Sequence, residues 1–221
     1  MEKLLNEQIV GQVKEAFGGM KEPVQILFFG SEQCDYCTET RQLVEEVAET
    51  HASIGAAYYD LEQDADMAAK FNVDKAPALV IAAKDGDQVV DYGIQYSGIP
   101  SGHEFSTLIN DILLVSGRDS GLDQETRDYL KNLTSPLHMQ VFVTPTCPYC
   151  PRAVLLAHQM AMENPAMIRA EGVEATEFPE LADRFNVSGV PQTTINAGRG
   201  TVVGAVPAGH LLDEIKRALL N

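Results

Sequence analysis

The four cysteines of the 221-residue chain all fall in two C-x-x-C pairs, Cys34-Asp35-Tyr36-Cys37 and Cys147-Pro148-Tyr149-Cys150. A thiol attacks as its thiolate, and a helix N-terminus stabilises that anion through unsatisfied N–H groups and the positive end of the helix dipole. Each pair follows an apolar run of strand type and opens a helix-like stretch, so both stand where that stabilisation is available. Cys34 and Cys147 are the expected attacking thiols. Cys37 and Cys150, one helical turn on, are the thiols expected to resolve a mixed disulfide. A structural disulfide gains most from closing a long loop, and a C-x-x-C spacing gains little that way. The pairs therefore read as catalytic or metal-binding.

Positioning such thiols requires a strand before each pair and a helix after it. Leu5, Ile9, Val13 and Phe17 recur at helical spacing and predict a helix over 4–17, and the apolar run 24–29 predicts a buried strand. A helix over 35–50, a strand over 54–61 and a helix over 64–71 follow. Strands over 78–83 and 88–92 flank Lys84-Asp85-Gly86-Asp87, a hairpin signal, and a helix over 100–115 leads into a linker, Ser116 to Gly121. The order then returns, with helices over 123–132, 148–163, 178–185 and 207–219 and strands over 137–143, 166–173, 192–196 and 201–205. Each half reads α-β-α-β-α-β-β-α.

The halves also repeat as sequence. Lys70-Phe71-Asn72-Val73 with Ala76-Pro77 is matched by Arg184-Phe185-Asn186-Val187 with Val190-Pro191, and Pro100-Ser101-Gly102-His103 by Pro207-Ala208-Gly209-His210. The matched histidines read as part of helix-entry geometry. A period of about 110 residues is too long for a solenoid and suits a duplicated domain, so the expected division is 1–117 and 118–221.

Sixteen Lys and Arg against 32 Asp and Glu give a net charge of −16, spread along both halves without an acidic block. Such a surface disfavours nucleic acid and anionic membrane as partners. No long apolar span occurs, and Met1 to Gln8 alternates charged and apolar residues instead of forming a signal-peptide pattern, so a cytoplasmic location is expected.

A C-x-x-C after the first strand of each half, with an X-Pro just before the third, resembles the thioredoxin fold. Cys147-Pro148-Tyr149-Cys150 is similar to the active site of dithiol glutaredoxins. Two such units in one short chain look like the glutaredoxin-like protein disulfide oxidoreductase family of archaea and thermophilic bacteria, and the resemblance covers nearly the whole chain. It implies an α/β fold of two tandem thioredoxin-like domains, each a central mixed sheet flanked by helices. It implies an enzyme without cofactor or bound metal that reduces, forms or isomerises disulfides of protein substrates at both C-x-x-C sites. Its electron donor would be a thioredoxin reductase-like flavoprotein or glutathione. The resemblance also implies that Ala76-Pro77 and Val190-Pro191 are cis peptide bonds beside the cysteines, where the backbone of Ala76 and Val190 would pair with an extended substrate segment.

Other functions compete. Four thiolates together would make a tetrathiolate zinc site, which their separate strand–helix settings disfavour. A Cys-Pro-Tyr-Cys can hold an iron–sulfur cluster between subunits. Tandem thioredoxin-like domains can relay electrons to a peroxidase, although those look to carry a single C-x-x-C. Thioredoxins place a buried Asp six residues before the first cysteine, where this chain has Phe28 and Val141. Asp60 and Glu174, near the ends of the next strands, are candidate replacements, with an exposed loop carboxylate the expected state of each. The sites should also differ. Asp35 disfavours the Cys34 thiolate, whereas Pro148 is uncharged and suits a first helical turn, so Cys147 is expected to have the lower pKa.

Overall fold

A computed structural model describes residues 3–220; Met1, Glu2 and Asn221, at the ends of the two expected domains, lie outside the described residues. In the first half the elements are α1 (Glu7–Phe17), β1 (Val24–Gly30), α2 (Cys37–Ala48), β2 (Ile54–Asp60), α3 (Ala65–Lys70), β3 (Ala78–Asp85), β4 (Gln88–Ser97) and α4 (Glu104–Gly117). In the second they are α5 (Gln124–Lys131), β5 (Leu137–Val143), α6 (Cys150–Met162), β6 (Ile168–Glu174), α7 (Pro179–Arg184), β7 (Gln192–Ile195), β8 (Gly200–Val203) and α8 (Ala208–Leu220). The expected alternation therefore holds throughout.

Several boundaries depart from expectation, four of them with consequences for the site or for the join between the halves. α2 and α6 begin at the second cysteine of each pair, because the residues between the cysteines form a turn that ends at Tyr36 and Tyr149. Pro148 lies in that turn, ahead of the helix, and Pro151 takes the first-turn place, where a missing N–H is tolerated. β4 runs to Ser97, past the expected end at 92. α4 continues to Gly117, into the expected linker, because Ser116 is buried and its hydroxyl accepts from the N–H of Lys21 and donates to the Glu22 carbonyl.

The strands join in one sheet of order β2-β1-β3-β4-β6-β5-β7-β8. Each half contributes a parallel pair, β1 with β2 and β5 with β6, and antiparallel partners β3, β4 and β7, β8. The halves meet where β4 pairs parallel with β6, from Ile94 opposite Ala170 to Ser97 opposite Val173. That pairing explains the length of β4. Its last residues are buried against a strand edge of the other half, which also closes two edges that would otherwise stay open.

Side chains alternate across the sheet and divide the core. Ile26 and Phe28 of β1 join Leu43, Val44 and Val47 of α2 and Leu108 and Ile112 of α4 in a large cluster. That cluster continues without a break into Val141, Val154, Ala157 and Ile215 of the second half. Leu27 and Phe29 face the other way, against Ala68 and Phe71, and Phe142 and Val173 do the same against Ala182 and Phe185. Strands buried on both faces read as continuous apolar runs, which is why β1 and β5 lack an alternating pattern. The fold is α/β, two tandem thioredoxin-like units sharing one sheet and one main core.

Candidate active site

Both cysteine pairs are closed as disulfides, Cys34–Cys37 with Cα atoms 5.4 Å apart and Cys147–Cys150 with Cα atoms 5.5 Å apart. Cys34 and Cys147 stand in the turns just ahead of α2 and α6. Neither helix has a side chain capping its N-terminus, so the first-turn N–H groups remain for a thiolate. α2 carries Glu39 in its first turn and Asp35 beside Cys34, whereas the first turn of α6 carries no acid. Burial works the other way. Cys34 and Cys37 are partly exposed, whereas Cys147 is 7% exposed and Cys150 is fully buried.

Ala76-Pro77 and Val190-Pro191 are cis. Register brings them to the thiols. Phe29 pairs with Ala78 and Phe142 with Gln192, so each proline falls across from the end of the strand that leads into a cysteine turn. The Pro77 carbonyl accepts from Gly98 N at 2.9 Å and the Pro191 carbonyl from Gly204 N at 2.7 Å, which anchors both prolines to the neighbouring strand. The backbone groups of Ala76 and Val190 make no hydrogen bond among the described residues. A groove of about 360 Å³ is lined by Cys34, Ala76 and Pro77. Thr176 to Pro179, from the second half, line it as well.

The candidate proton acceptors behave differently from expectation. Glu174 is 4% exposed instead of lying free in a loop, because its Oε2 accepts from Thr176 Oγ1 at 2.6 Å and Glu177 N at 2.7 Å and so ties down the β6–α7 loop. Asp60, half-buried, holds the matched loop through the N–H groups of Glu62 and Gln63, and it lines a second groove with Cys37, Arg41 and Tyr58.

Contacts between the halves reach both active-site loops. His103 N donates to the Pro145 carbonyl at 2.9 Å, two residues before Cys147. Gly102 (φ +60) approaches so closely that an added Cβ would lie 2.2 Å from that oxygen. The matched histidine thus joins its helix entry to the other half's cysteine turn. In the opposite direction Lys75, just before the first cis bond, donates to Glu171 of β6 at 2.7 Å. Glu171 also accepts from Ser97 Oγ and from Gln140 Nε2 at 2.9 Å, and lies 3.3 Å from His138 Nε2. Burial alone would raise its pKa, but His138, Lys75 and Ser97 together hold the carboxyl well below the usual range. Next to the α4–α6 contact, Asp111 Oδ2 accepts from Tyr96 Oη and lies 2.7 Å from His158 Nδ1, all fully buried or nearly so. Burial, with Asp111 nearby, pushes Glu104 in the same region up to about 7 against the pull of Thr107 and His158.

Cysteine spacing and the matched X-Pro dipeptides pointed to the cysteines and prolines. Nothing local pointed to Glu104 or Glu171. For Glu177 one signal existed: its match in the first half is the uncharged Gln63.

Residues 137–217 match the Thioredoxin domain family model. The structure of a protein disulfide oxidoreductase from Aeropyrum pernix K1 superimposes with a TM-score of 0.87 at 31% identity, over 97% of this chain and 94% of that one. The chain belongs to the protein disulfide oxidoreductase family. It is also 29% identical over 205 residues to the F component of alkyl hydroperoxide reductase from Staphylococcus epidermidis, covering 90% of this chain and 36% of that protein. It is 28% identical over 137 residues to a Bacillus subtilis NADH dehydrogenase, covering 62% of this chain and 27% of the relative. The chain thus spans about a third or less of the curated relatives it matches. Among the described residues, no helix is long and apolar enough to cross a membrane.

Proposed function

We propose that this protein exchanges disulfides with protein substrates at both C-x-x-C sites, Cys34 and Cys147 attacking and Cys37 and Cys150 resolving. One observation carries the reading. A disulfide and a cis-proline with unpaired adjacent backbone line one groove at the first site, and the same pairing of strand-end cysteines with a cis-proline recurs in the second half. Ala76-Pro77 and Val190-Pro191 bind the substrate, whose extended segment pairs with the free backbone of Ala76 or Val190 and lays a disulfide on the attacking sulfur. The substrate S–S bond breaks as the Cys34 or Cys147 sulfur bonds to one half. The resolving thiolate then attacks that sulfur, so the substrate leaves reduced and the pair oxidised. Domains 1–117 and 118–221 would each supply one dithiol, the second of glutaredoxin-like type, in a cytoplasmic protein. Electrons would come from a thioredoxin reductase-like flavoprotein or from glutathione.

Insulin reduction driven by dithiothreitol tests this with wild type, Cys34→Ser/Cys37→Ser, Cys147→Ser/Cys150→Ser and the variant carrying all four changes. Turnover should fall in at least one double variant and drop to the uncatalysed rate in the quadruple one. Wild-type turnover without any cysteine would refute the reading. The similarity to the F component of alkyl hydroperoxide reductase supports a second one, an electron-relay module serving a peroxidase. Reduction of a peroxidase disulfide far faster than insulin would favour it.

A further inference from the structure

The first site's groove has a wall from the other half, and that wall carries an acid. Glu177, in the loop between β6 and α7, lines the groove together with Cys34 and Pro77. Its carboxylate is held in place. Oε1 accepts from Ile99 N at 2.8 Å. Gly98 (φ +95) leaves the room it occupies, since an added Cβ there would lie 2.9 Å from Oε1. Oε2 is shielded from solvent and has no hydrogen-bond partner among the described residues, which leaves it as the oxygen that would carry the proton. The first half offers no equivalent on this side. Phe28 stands where thioredoxins carry an Asp, and Asp60 lines the separate groove on the Cys37 side.

We propose that Glu177 of the second half is the proton carrier of the first half's dithiol, so that the first site is complete only with a group from the other half. The proposal rests on the disulfide-exchange reading above. Glu177 takes the proton of Cys34 as its thiolate forms. The substrate S–S bond breaks, a bond forms between Cys34 and one substrate sulfur, and Glu177 returns the proton to the sulfur that departs. Cys37 then loses its proton to solvent and attacks Cys34, the second substrate sulfur departs as a thiolate and takes a proton from solvent, and two electrons pass from the dithiol to the substrate disulfide without another reagent. Burial, opposed by the Ile99 N–H and aided by Glu174, pushes Glu177 up to about 7, which suits a proton carrier near neutral pH. Other charged groups face it. Glu174 lies behind it, Asp35 lines the same groove, and Lys75, Glu180 and Arg184 line the adjoining groove of about 490 Å³ along α7.

The test uses the full chain with Cys147→Ser/Cys150→Ser, so that only the first dithiol remains, with and without Glu177→Gln. Gln keeps the oxygen that accepts from Ile99 but carries no charge. After reduction, the alkylation rate of Cys34 is followed against pH by peptide mass, and insulin reduction is measured in parallel. With Glu177 present, the alkylation profile should show an inflection near pH 7 as the carboxylate charges beside the thiol. Glu177→Gln should remove it and make Cys34 alkylate faster above pH 7, while insulin turnover at neutral pH falls by on the order of tenfold. Glu177→Asp should shift the inflection without abolishing it. In the chain retaining all cysteines, the Cys147 alkylation profile should not respond. Unchanged Cys34 profiles, both rates falling together, or an equal response at Cys147 would each overturn the proposal, the last two because they mark a general structural effect. If the parent shows the inflection and its loss in Glu177→Gln but reduces no insulin, disulfide exchange fails at this pair while the proton link stands.

Discussion

Replacing Glu104 with glutamine should make the protein more stable at alkaline pH and leave it nearly unchanged at acid pH. Glu104 is 3% exposed and neither of its oxygens has a hydrogen-bond partner among the described residues. Burial raises its pKa from the usual 4.5 to about 7. Below pH 4.5 the group is neutral whether the chain is folded or not, and it contributes no pH dependence. Between 4.5 and 7 the unfolded chain releases a proton that the native state keeps, so stability falls as pH rises. Above 7 the loss is complete. The gap between 4.5 and about 7, at about 1.4 kcal/mol per pKa unit, makes it about 3 kcal/mol. An amide of the same shape never ionises, so Glu104→Gln should equal wild type near pH 4.5 and exceed it by up to about 3 kcal/mol at pH 9. Urea unfolding of the oxidised protein across that range measures the difference. With a slope of about 2–3 kcal/mol per molar, the midpoints should separate by about 1 M at pH 9. Other titrating groups, Glu177 among them, cancel in the comparison. A stability difference that does not change with pH would refute the reasoning, because a packing effect alone has no proton in it.

Lys75→Met should destabilise by about 3 kcal/mol at pH 7, measured by urea unfolding, because it leaves Glu171 buried with only its neutral partners and His138. Glu171 has a depressed pKa, so the stabilisation is present above about pH 4.5 and the gap between variant and wild type should close as pH falls below it. Gly102→Ala must push the backbone off Pro145 and adopt a left-handed φ, so it should destabilise by about 2 kcal/mol or more and alter alkylation at Cys147 while sparing Cys34; equal effects at both would argue against a local contact. Alkylation of the reduced protein should give Cys147 the lower pKa, since the first turn of α6 carries no acid, but a smaller plateau rate toward bulky reagents, since the sulfur is buried. A lower midpoint for Cys34 would show that burial outweighs the charge difference.

Much of the first site was legible along the chain. Thiols one helical turn apart, apolar runs ahead of them and matched X-Pro dipeptides are local patterns, and each is written within a few residues. Duplication made them readable, since a lone X-Pro has many ordinary uses and two at matched distances from two C-x-x-C pairs do not. Helix starts were legible less closely. Cys37 and Cys150 rather than residues 35 and 148 begin α2 and α6, because the residues between the cysteines form a turn that ends at Tyr36 and Tyr149.

The amino-acid order by itself determined two βα units, their alternating faces and the four sulfurs with their prolines, because hydrophobic period, glycine and proline act over short distances. Tertiary structure alone decided that β4 would pair with β6. From that one edge follow the extra length of β4, the buried Glu171 with Lys75, the seat of Gly102 against Pro145 and the arrival of Glu177 in the groove of Cys34. No local signal encodes which strand edges meet. The choice depends on two whole faces being complementary at once, in backbone hydrogen bonds and in the core beneath them, and groups far apart along the chain become neighbours only when that condition is met.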